Sequence, residues 1–389
     1  MKDIPQRGMS SIKGETMSDL DIKQFVFRKG AAKRIPVSGT FELTSRCNFR
    51  CKMCYVQMTP EEQRAVGCEL TTQEWLDIAQ KAVDKGMIYL LLTGGEPLLR
   101  PDFTELYTRL IQMGLVVSVN TNGSLITPQI VACFRQFPPE RVNVTLYGSS
   151  PCRYAIVCGN ESGYSQAIQG IRLLKQAGIR INLNTTFIRE NSPDMEALVA
   201  FAKQENIPIR TAAYLFPPVR NGHEEQNGNL TAEEMGKLSA EFDCMTMDAS
   251  QKQKRLQYIH SCLSEKSDDM QEPECRPAAC MAGRGAFWIS WDGIMYSCGM
   301  LSQESENIRE CGFSEAWDKT AESAKKLYLP AECSTCKYQK LCPSCAAVSQ
   351  CVNGRQGILV PDMCIRTQAY IETFLKLVES QNTYAAVKI

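Results

Sequence analysis

Little in this sequence would draw it to a charged surface or hold it in a membrane. Its 43 Lys+Arg are matched by 43 Asp+Glu, a formal net charge of +0, so no global field recruits nucleic acid or an anionic membrane. The longest early apolar run, MIYLLL from Met87, falls far short of the roughly 20 residues that cross a bilayer. The opening stretch, MKDIPQRGMSSIKGETMSDL, is polar and lacks the apolar core of a secretory signal. These absences predict a soluble, cytoplasmic protein with no nucleic-acid and no membrane partner. Histidine is scarce too: His223 and His260 are the only 2, both in polar stretches, and both read as solvated surface. No internal repeat or low-complexity tract is present. At 389 residues the chain can bury roughly three-quarters of the surface its unfolded form exposes, so it needs no metal staple merely to fold. Two or three domains are expected.

Cysteine, by contrast, is abundant, with 19 in the chain. In a reducing compartment clustered cysteines are more often metal ligands or catalytic thiols than disulfides. Their placement supports ligands, because they concentrate at 47–54 and again at 275–364.

From Ser38 to about Phe216, short β-rich runs alternate with helical stretches. The runs are GTFELT near 39, IYLLLT at 88, VVSVNTN at 116, VNVTLY at 142, IRINLNTTF at 179 and IRTAAYLF at 209. Between them, 71–86, 102–114, 165–178 and 192–206 place apolar residues at helical spacing, with Ser, Thr or Asp at several starts and Gly after several ends. Parallel strands need right-handed crossovers, so these six units predict an α/β fold: a partial (β/α)6 TIM-like barrel with chemistry at the C-terminal strand ends. Residues 230–245 read as a further helix and 250–274 as a polar bridge. Beyond them lies a cysteine-rich region of poor periodicity and a closing helix near 366–379. The boundaries expected are an N-terminal extension at 1–37, the barrel at 38–230, a helical bridge at 231–272, the cysteine-rich domain at 273–365, and a C-terminal helix and tail at 366–389.

The stretch SRCNFRCKMCY carries Cys47, Cys51 and Cys54 directly after the first strand. Four thiolates would complete a zinc site or satisfy a whole cubane; three hold three irons and leave the fourth open to an external ligand. Half a zinc site is the competing reading. IYLLLTGGEP then sets Thr93, Gly94, Gly95 and Glu96 at the end of the second strand: glycine permits close backbone approach, and Glu96 offers a carboxylate to a cation. VNTNG places Asn120 and Asn122 at the end of the third. Together, over strands one to six, these motifs resemble the radical S-adenosylmethionine (radical SAM) superfamily, whose signature is C-x3-C-x2-C followed by an aromatic, here Tyr55. The resemblance implies a [4Fe-4S] cluster on Cys47, Cys51 and Cys54 that binds S-adenosyl-L-methionine and yields a 5'-deoxyadenosyl radical on reduction. It assigns the methionine ammonium to the GGEP segment and the ribose to the Asn120–Asn122 segment. The cofactor supplies the hard chemistry; the protein supplies position and exclusion of water.

The second group reads Cys275, Cys280, Cys298, Cys333, Cys336, Cys342, Cys345, Cys351 and Cys364. Its C-x2-C-x5-C-x2-C run looks like the SPASM extension of radical enzymes, which carries two auxiliary [4Fe-4S] clusters, three in all. That resemblance gives Cys275, Cys280, Cys298 and Cys345 to the nearer cluster and Cys333, Cys336, Cys342 and Cys364 to the farther. The family has three residues between the last two cysteines of the run, whereas here only Pro343 and Ser344 intervene, so Cys351 is the alternative to Cys345. A pair of zinc knuckles is the competing reading. Full thiolate ligation leaves no open iron, so such clusters would pass electrons. Cys68, Cys133, Cys152, Cys158, Cys244, Cys262 and Cys311 read as buried or incidental.

Relatives of this layout mostly modify peptides and proteins. The first expectation is therefore a maturase that forms a thioether or carbon-carbon crosslink in a ribosomally made precursor peptide, fed electrons by a reductant such as flavodoxin or ferredoxin. In the sulfatase-maturing branch, an alternative, an aspartate base follows the cysteine corresponding to Cys298. Gly299 stands there instead and cannot accept a proton. Asp292-Gly293 reads as an ordinary hairpin turn. A winged-helix recognition domain is not expected in the roughly 37 residues before the first strand. The basic stretch 27–34 reads as a solvated tail or an attractor of an acidic leader. A tetrapyrrole substrate, its carboxylates paired with Arg210 and Arg220, is a second reading, and a zinc-bound scaffold a third.

Overall fold

The computed structural model describes residues 17–56, 58–212, 215–216, 229–264, 278, 280–301 and 305–386. Helix α1 (Met17–Lys33) leads into strand β1 (Ser38–Glu42), and α2 (Pro60–Val66) and α3 (Thr72–Asp84) precede β2 (Tyr89–Thr93). Then come α4 (Phe103–Gln112), β3 (Val116–Thr121), α5 (Pro128–Gln136), β4 (Arg141–Thr145), α6 (Pro151–Cys158), α7 (Gly163–Gln176), β5 (Ile181–Thr186), α8 (Met195–Glu205) and β6 (Ile209–Ala212). Past α9 (Ala232–Thr246) and α10 (Ala249–Ser264) lie β7 (Ala286–Ile289), β8 (Ile294–Tyr296), β9 (Glu306–Asn307), α11 (Ile308–Ser323), α12 (Ala346–Asn353) and α13 (Pro361–Ala386).

All six expected strands form and pair in parallel, in the order β6-β5-β4-β3-β2-β1. This is the partial barrel that the alternating runs imply. The sheet does not stop at β1. Strand β7 pairs with β1 in parallel, Thr40 opposite Trp288, and β8 and β9 continue antiparallel, giving 9 strands in one sheet among the described residues. The cysteine-rich region is thereby hydrogen-bonded to the strand that carries the three-cysteine loop. Gly293, at φ 91, turns β7 into β8, as Asp-Gly chemistry suggests.

Alternation along the strands separates two faces. Phe41, Leu90, Leu92, Val117, Val119, Val142, Val144 and Leu183 are buried against the helices, and Phe41 stacks on Trp75 of α3 with ring centroids 4.6 Å apart. Each such burial stabilises the fold by about 1.5–3 kcal/mol. The alternate positions, including Glu42, Thr93, Ser118, Asn120, Asn143, Thr145, Asn182, Asn184, Thr186 and Arg210, line the barrel interior in register.

The basic stretch 27–34 is not a solvated tail. It belongs largely to α1, where Phe27 stacks on Tyr89 at 5.3 Å, Lys23 pairs with Glu140 at 2.5 Å, and the Arg34 carbonyl accepts from Trp317 Nε1 at 3.0 Å. Tyr89 opens β2 and Glu140 precedes β4, so α1 covers the N-terminal end of the barrel. Likewise 249–264 is helical, burying Leu256, Ile259 and Cys262 beside Phe374 of α13. Helices α5 and α6 were missed although each carries a start signal, Thr127-Pro128 and Ser150-Pro151, in which the hydroxyl caps and proline occupies the first turn.

One side chain clamps the C-terminal region to the barrel. Arg309 donates to Glu74 at 2.9 Å and to the carbonyls of Cys68, Asp292 and Glu69 at 3.1, 3.3 and 3.2 Å. Its hydrogen bond, with help from the Thr71 cap, lowers the Glu74 pKa to about 2. A depressed carboxylate contributes stability that is full above its unfolded pKa and is lost as pH falls through the folded value. Because Arg309 and Glu74 are 35% and 37% exposed, the pair is worth below about 1 kcal/mol. Arg309→Ala should therefore lower stability by about that amount at pH 7 and flatten the stability curve between about pH 4.5 and pH 2, read by urea denaturation at each pH.

Candidate active site and thiol clusters

The cysteine loop leaves β1 and lies against the end of α6. Arg50 N donates to the Cys158 carbonyl at 2.7 Å and Lys52 N to that of Val157 at 3.0 Å. Cys47, Cys51 and Cys54 are all half-buried. Burial pushes the Cys47 thiol up to about 12; the Phe49 amide lowers it, and the charges of Glu96, Cys51 and Cys54 raise it again. Thiols this close, with no cation among those influences, invite a metal that takes their protons. Two N–H groups already point at the Cys47 sulfur, Phe49 N at 3.4 Å and Asn122 Nδ2 at 3.8 Å, the kind of donor that supports a ligating thiolate. The three residues therefore fit a cluster held by three protein ligands.

The GGEP segment braces that loop. Gly95 N donates to the Thr44 carbonyl at 2.7 Å and Glu96 N to that of Arg46 at 2.8 Å. A Cβ on Gly94 would stand 2.6 Å from the Thr44 oxygen, and one on Gly95 2.3 Å from that of Arg46, so both glycines are dictated by the stem of the cysteine loop. Glu96 has 0% exposure and accepts from Leu98 N at 3.0 Å, Thr121 Oγ1 at 2.8 Å and Asn122 N at 2.7 Å. Burial raises its pKa to about 7 against those three donors. The carboxylate thus joins the ends of β2 and β3.

Asn122 carries the brace onward, donating to Asn48 Oδ1 at 2.8 Å and accepting from Ser124 N at 2.9 Å. Asn120 sits inside the barrel and accepts from Asn143 Nδ2 at 2.8 Å. Thr93 is buried, its carbonyl accepting from Leu43 N at 2.8 Å, and Tyr55 is half-buried beside Cys54. Asn48 and Ser124 are site residues that sequence reading did not supply, whereas it places Cys158, after the fourth strand, within reach of the site without a role. Arg100 is another that it did not supply: it is 7% exposed and holds the carbonyls of Leu43 and Leu70 at 3.1 and 3.0 Å beneath the loop.

In the C-terminal region Cys333, Cys336, Cys342 and Cys364 line one cavity of about 330 Å³ walled by Leu359, Val360 and Met363. Burial, then Cys342, Cys364 and Cys336, pushes the Cys333 thiol up to about 11. These are the four that the resemblance groups, and they line the same cavity. A second group holds Cys298, Cys345 and Cys351: burial, then Cys345 and Cys298, raises the Cys351 thiol to about 11, and its sulfur donates to the Met300 carbonyl at 3.1 Å. Both Cys345 and Cys351 therefore stand beside Cys298. Cys280 is exposed, and Cys275 lies outside the described residues, as do Arg220 and His223. Among the described residues no group of three or more His, Cys, Asp or Glu side chains is arranged to hold a metal ion. None of the helices searched there is long and apolar enough to cross a membrane.

Known proteins resemble this chain in sequence and fold. Residues 41–202 match the radical SAM superfamily. The chain is 28% identical over 333 residues to an AdoMet-dependent heme synthase of Methanosarcina barkeri, covering 81% of this chain and 92% of that one. It is 24% identical over 345 residues to a PqqA peptide cyclase of Rhizobium meliloti, covering 85% and 88%. Among solved structures it resembles anSMEcpe with bound AdoMet (TM-score 0.67, 15% identity, 90% of this chain, 100% of that one) and Streptococcus suis SuiB bound to its precursor peptide SuiA (TM-score 0.61, 16% identity, 89% and 81%). With three thiols on the loop after β1 and a GGEP segment bracing them, residues 41–202 are a radical SAM domain, and the chain that carries it is an enzyme.

Proposed function

We propose that this enzyme cleaves S-adenosylmethionine reductively and uses the resulting radical to oxidise a peptide or protein, forming a thioether or carbon-carbon crosslink, with electrons leaving through two SPASM-type auxiliary clusters. The observation that carries the peptide reading is the lining of the barrel mouth. Asn120, Asn143 and Asn182 stand in one register across β3, β4 and β5, and Asn184, opposite Thr145 and Arg210, stands in the next row on the same face. Carboxamides donate and accept at once, as a peptide backbone requires, whereas a polycarboxylate would call for several cations. Among the described interior positions near that mouth the cation is Arg210 on β6.

When bound, the cluster and S-adenosylmethionine supply a 5'-deoxyadenosyl radical that removes a hydrogen atom from the substrate. The chain's own residues do the rest. Cys47, Cys51 and Cys54 would hold the cluster, Tyr55, Thr93, Gly94, Gly95 and Glu96 would shape the methionine pocket, and Asn120 and Asn122 would border the ribose. Cys275, Cys280, Cys298 and Cys345, with Cys351 as the alternative to the last, would hold one auxiliary cluster, and Cys333, Cys336, Cys342 and Cys364 the other. Helix α1 closes the far end of the barrel against water, and a small electron donor such as flavodoxin or ferredoxin would supply the reducing electron. Formylglycine formation is disfavoured, because the Trp288 ring lies 2.8 Å from where a Cβ on Gly299 would stand, leaving no room for an aspartate.

A tetrapyrrole substrate is the second reading, favoured by the heme synthase named above, of which the chain covers 92%. Anaerobic incubation with reductant and S-adenosylmethionine, with either a panel of cysteine-containing precursor peptides or a propionate-bearing iron porphyrin, separates the two by mass spectrometry. A peptide that loses hydrogen in step with deoxyadenosine release supports the first reading. Consumption of the porphyrin with every peptide unchanged overturns it in favour of the second.

A further inference from the structure

Helix α6 ends against the middle of the cysteine loop, and its last residue is Cys158. The two backbone hydrogen bonds from Arg50 and Lys52 to the carbonyls of Cys158 and Val157 flank Cys51 on either side. Gly159 then turns the chain away at φ 63, and a Cβ there would stand 3.1 Å from that of Arg50, so the helix is cut off where the loop begins. Inside this junction the Cys158 side chain has 0% exposure and belongs to the apolar cluster against which Cys51 packs. The radical SAM signature accounts for three thiols; this is a fourth sulfur at the same place, delivered from a different strand-helix unit.

We propose that Cys158 is a positioning residue for the SAM-binding cluster, its S–H donating to the Cys51 sulfur and raising the readiness of that cluster to accept an electron. The inference rests on the reading of Cys47, Cys51 and Cys54 as cluster ligands. A ligating thiolate has no proton to give, so within the pair the donor is Cys158. A hydrogen bond to a cluster sulfur stabilises the more negative, reduced state, and such bonds are among the determinants of cluster potential. The surroundings of Cys158 include the buried side chains of Phe49, Tyr154 and Val157, a setting that strengthens a hydrogen bond. The Cys47 sulfur is already met by Phe49 N and Asn122 Nδ2, so Cys158 extends a donor set to the second ligand.

The test is a redox titration of reconstituted full-length enzyme by electron paramagnetic resonance, following the signal that changes on adding S-adenosylmethionine. Cys158→Ala and Cys158→Val both remove the donor, one leaving a void and one filling it, while Cys158→Ser keeps a donor. The expected result is unchanged iron content, a reduction equilibrium constant lowered about tenfold in Ala and Val (about 59 mV for one electron), and recovery toward wild type in Ser. An unchanged midpoint in whichever of Ala or Val loads iron overturns the proposal. So does loss of iron in Ala, Val and Ser alike, which would make Cys158 a ligand or a packing element. A wild-type protein with no S-adenosylmethionine-sensitive signal would instead sink the ligand reading on which the inference rests.

Discussion

Cys51→Ala should abolish deoxyadenosine release from S-adenosylmethionine and remove about four irons per chain, while Cys68→Ala leaves both unchanged. Cys51 stands mid-loop, between the backbone bonds of Arg50 and Lys52 to α6, so its sulfur is fixed by the fold before any iron arrives. Two remaining thiols leave a second iron without a protein ligand. Cys68 is exposed and serves the structure through its carbonyl, which accepts from Arg309 at 3.1 Å. Iron analysis and chromatography of the nucleoside products measure both outcomes; a Cys51→Ala enzyme that still releases deoxyadenosine would refute the assignment of the loop.

The second large effect is expected at Gly95→Ala. Here one methyl group would meet three backbone atoms of the loop stem: the Arg46 oxygen at 2.3 Å, its carbonyl carbon at 2.6 Å and the Ser45 oxygen at 2.7 Å. Backbone cannot rotate aside as a side chain does, so β2 and the cysteine loop must part. Overpacking of this kind costs about 1–3 kcal/mol, or about 2–4 °C of melting temperature for each kcal/mol in a domain of this size. Iron loading should fall with it, because the parted segment carries both the Gly95–Thr44 and Glu96–Arg46 hydrogen bonds. A thermal melt and an iron assay on the same sample decide the matter: normal loading with a normal melt would show that the glycine is not needed for packing.

Strands β1 to β5 were legible because each buries apolar residues on its helix-facing side, and helices such as α3 and α4 because their apolar stripes repeat at helical spacing. Helix α1 was not, since its residues meet the barrel through a few long-range contacts, Lys23 with Glu140 and Phe27 on Tyr89, that no local pattern records. The parallel pairing of β7 with β1 was equally hidden: it joins Thr40 to Trp288, and nothing in either short segment names the other. At the site, the three-thiol loop was legible from its spacing, and the grouping of the four thiols around the distal cavity from the resemblance to the SPASM extension. The work of Glu96, which spends its carboxylate on Leu98, Thr121 and Asn122, did not, because a motif gives the residue and not its hydrogen-bond partners. Cys158 was set aside as incidental because its relation to Cys51 exists only once α6 has been docked.

The position of β1 between β2 and β7 bears on how the protein matures. The loop-bearing strand leaves the ribosome well before β7, so its second border is made only when Trp288 has been synthesised. Until then one rim of the nascent barrel is bare, open to mispairing with another chain. Iron insertion during translation would meet a half-supported loop, so assembly of this enzyme is expected to follow chain completion, and carboxy-terminal deletions that remove β7 should yield aggregates in place of a minimal catalytic barrel.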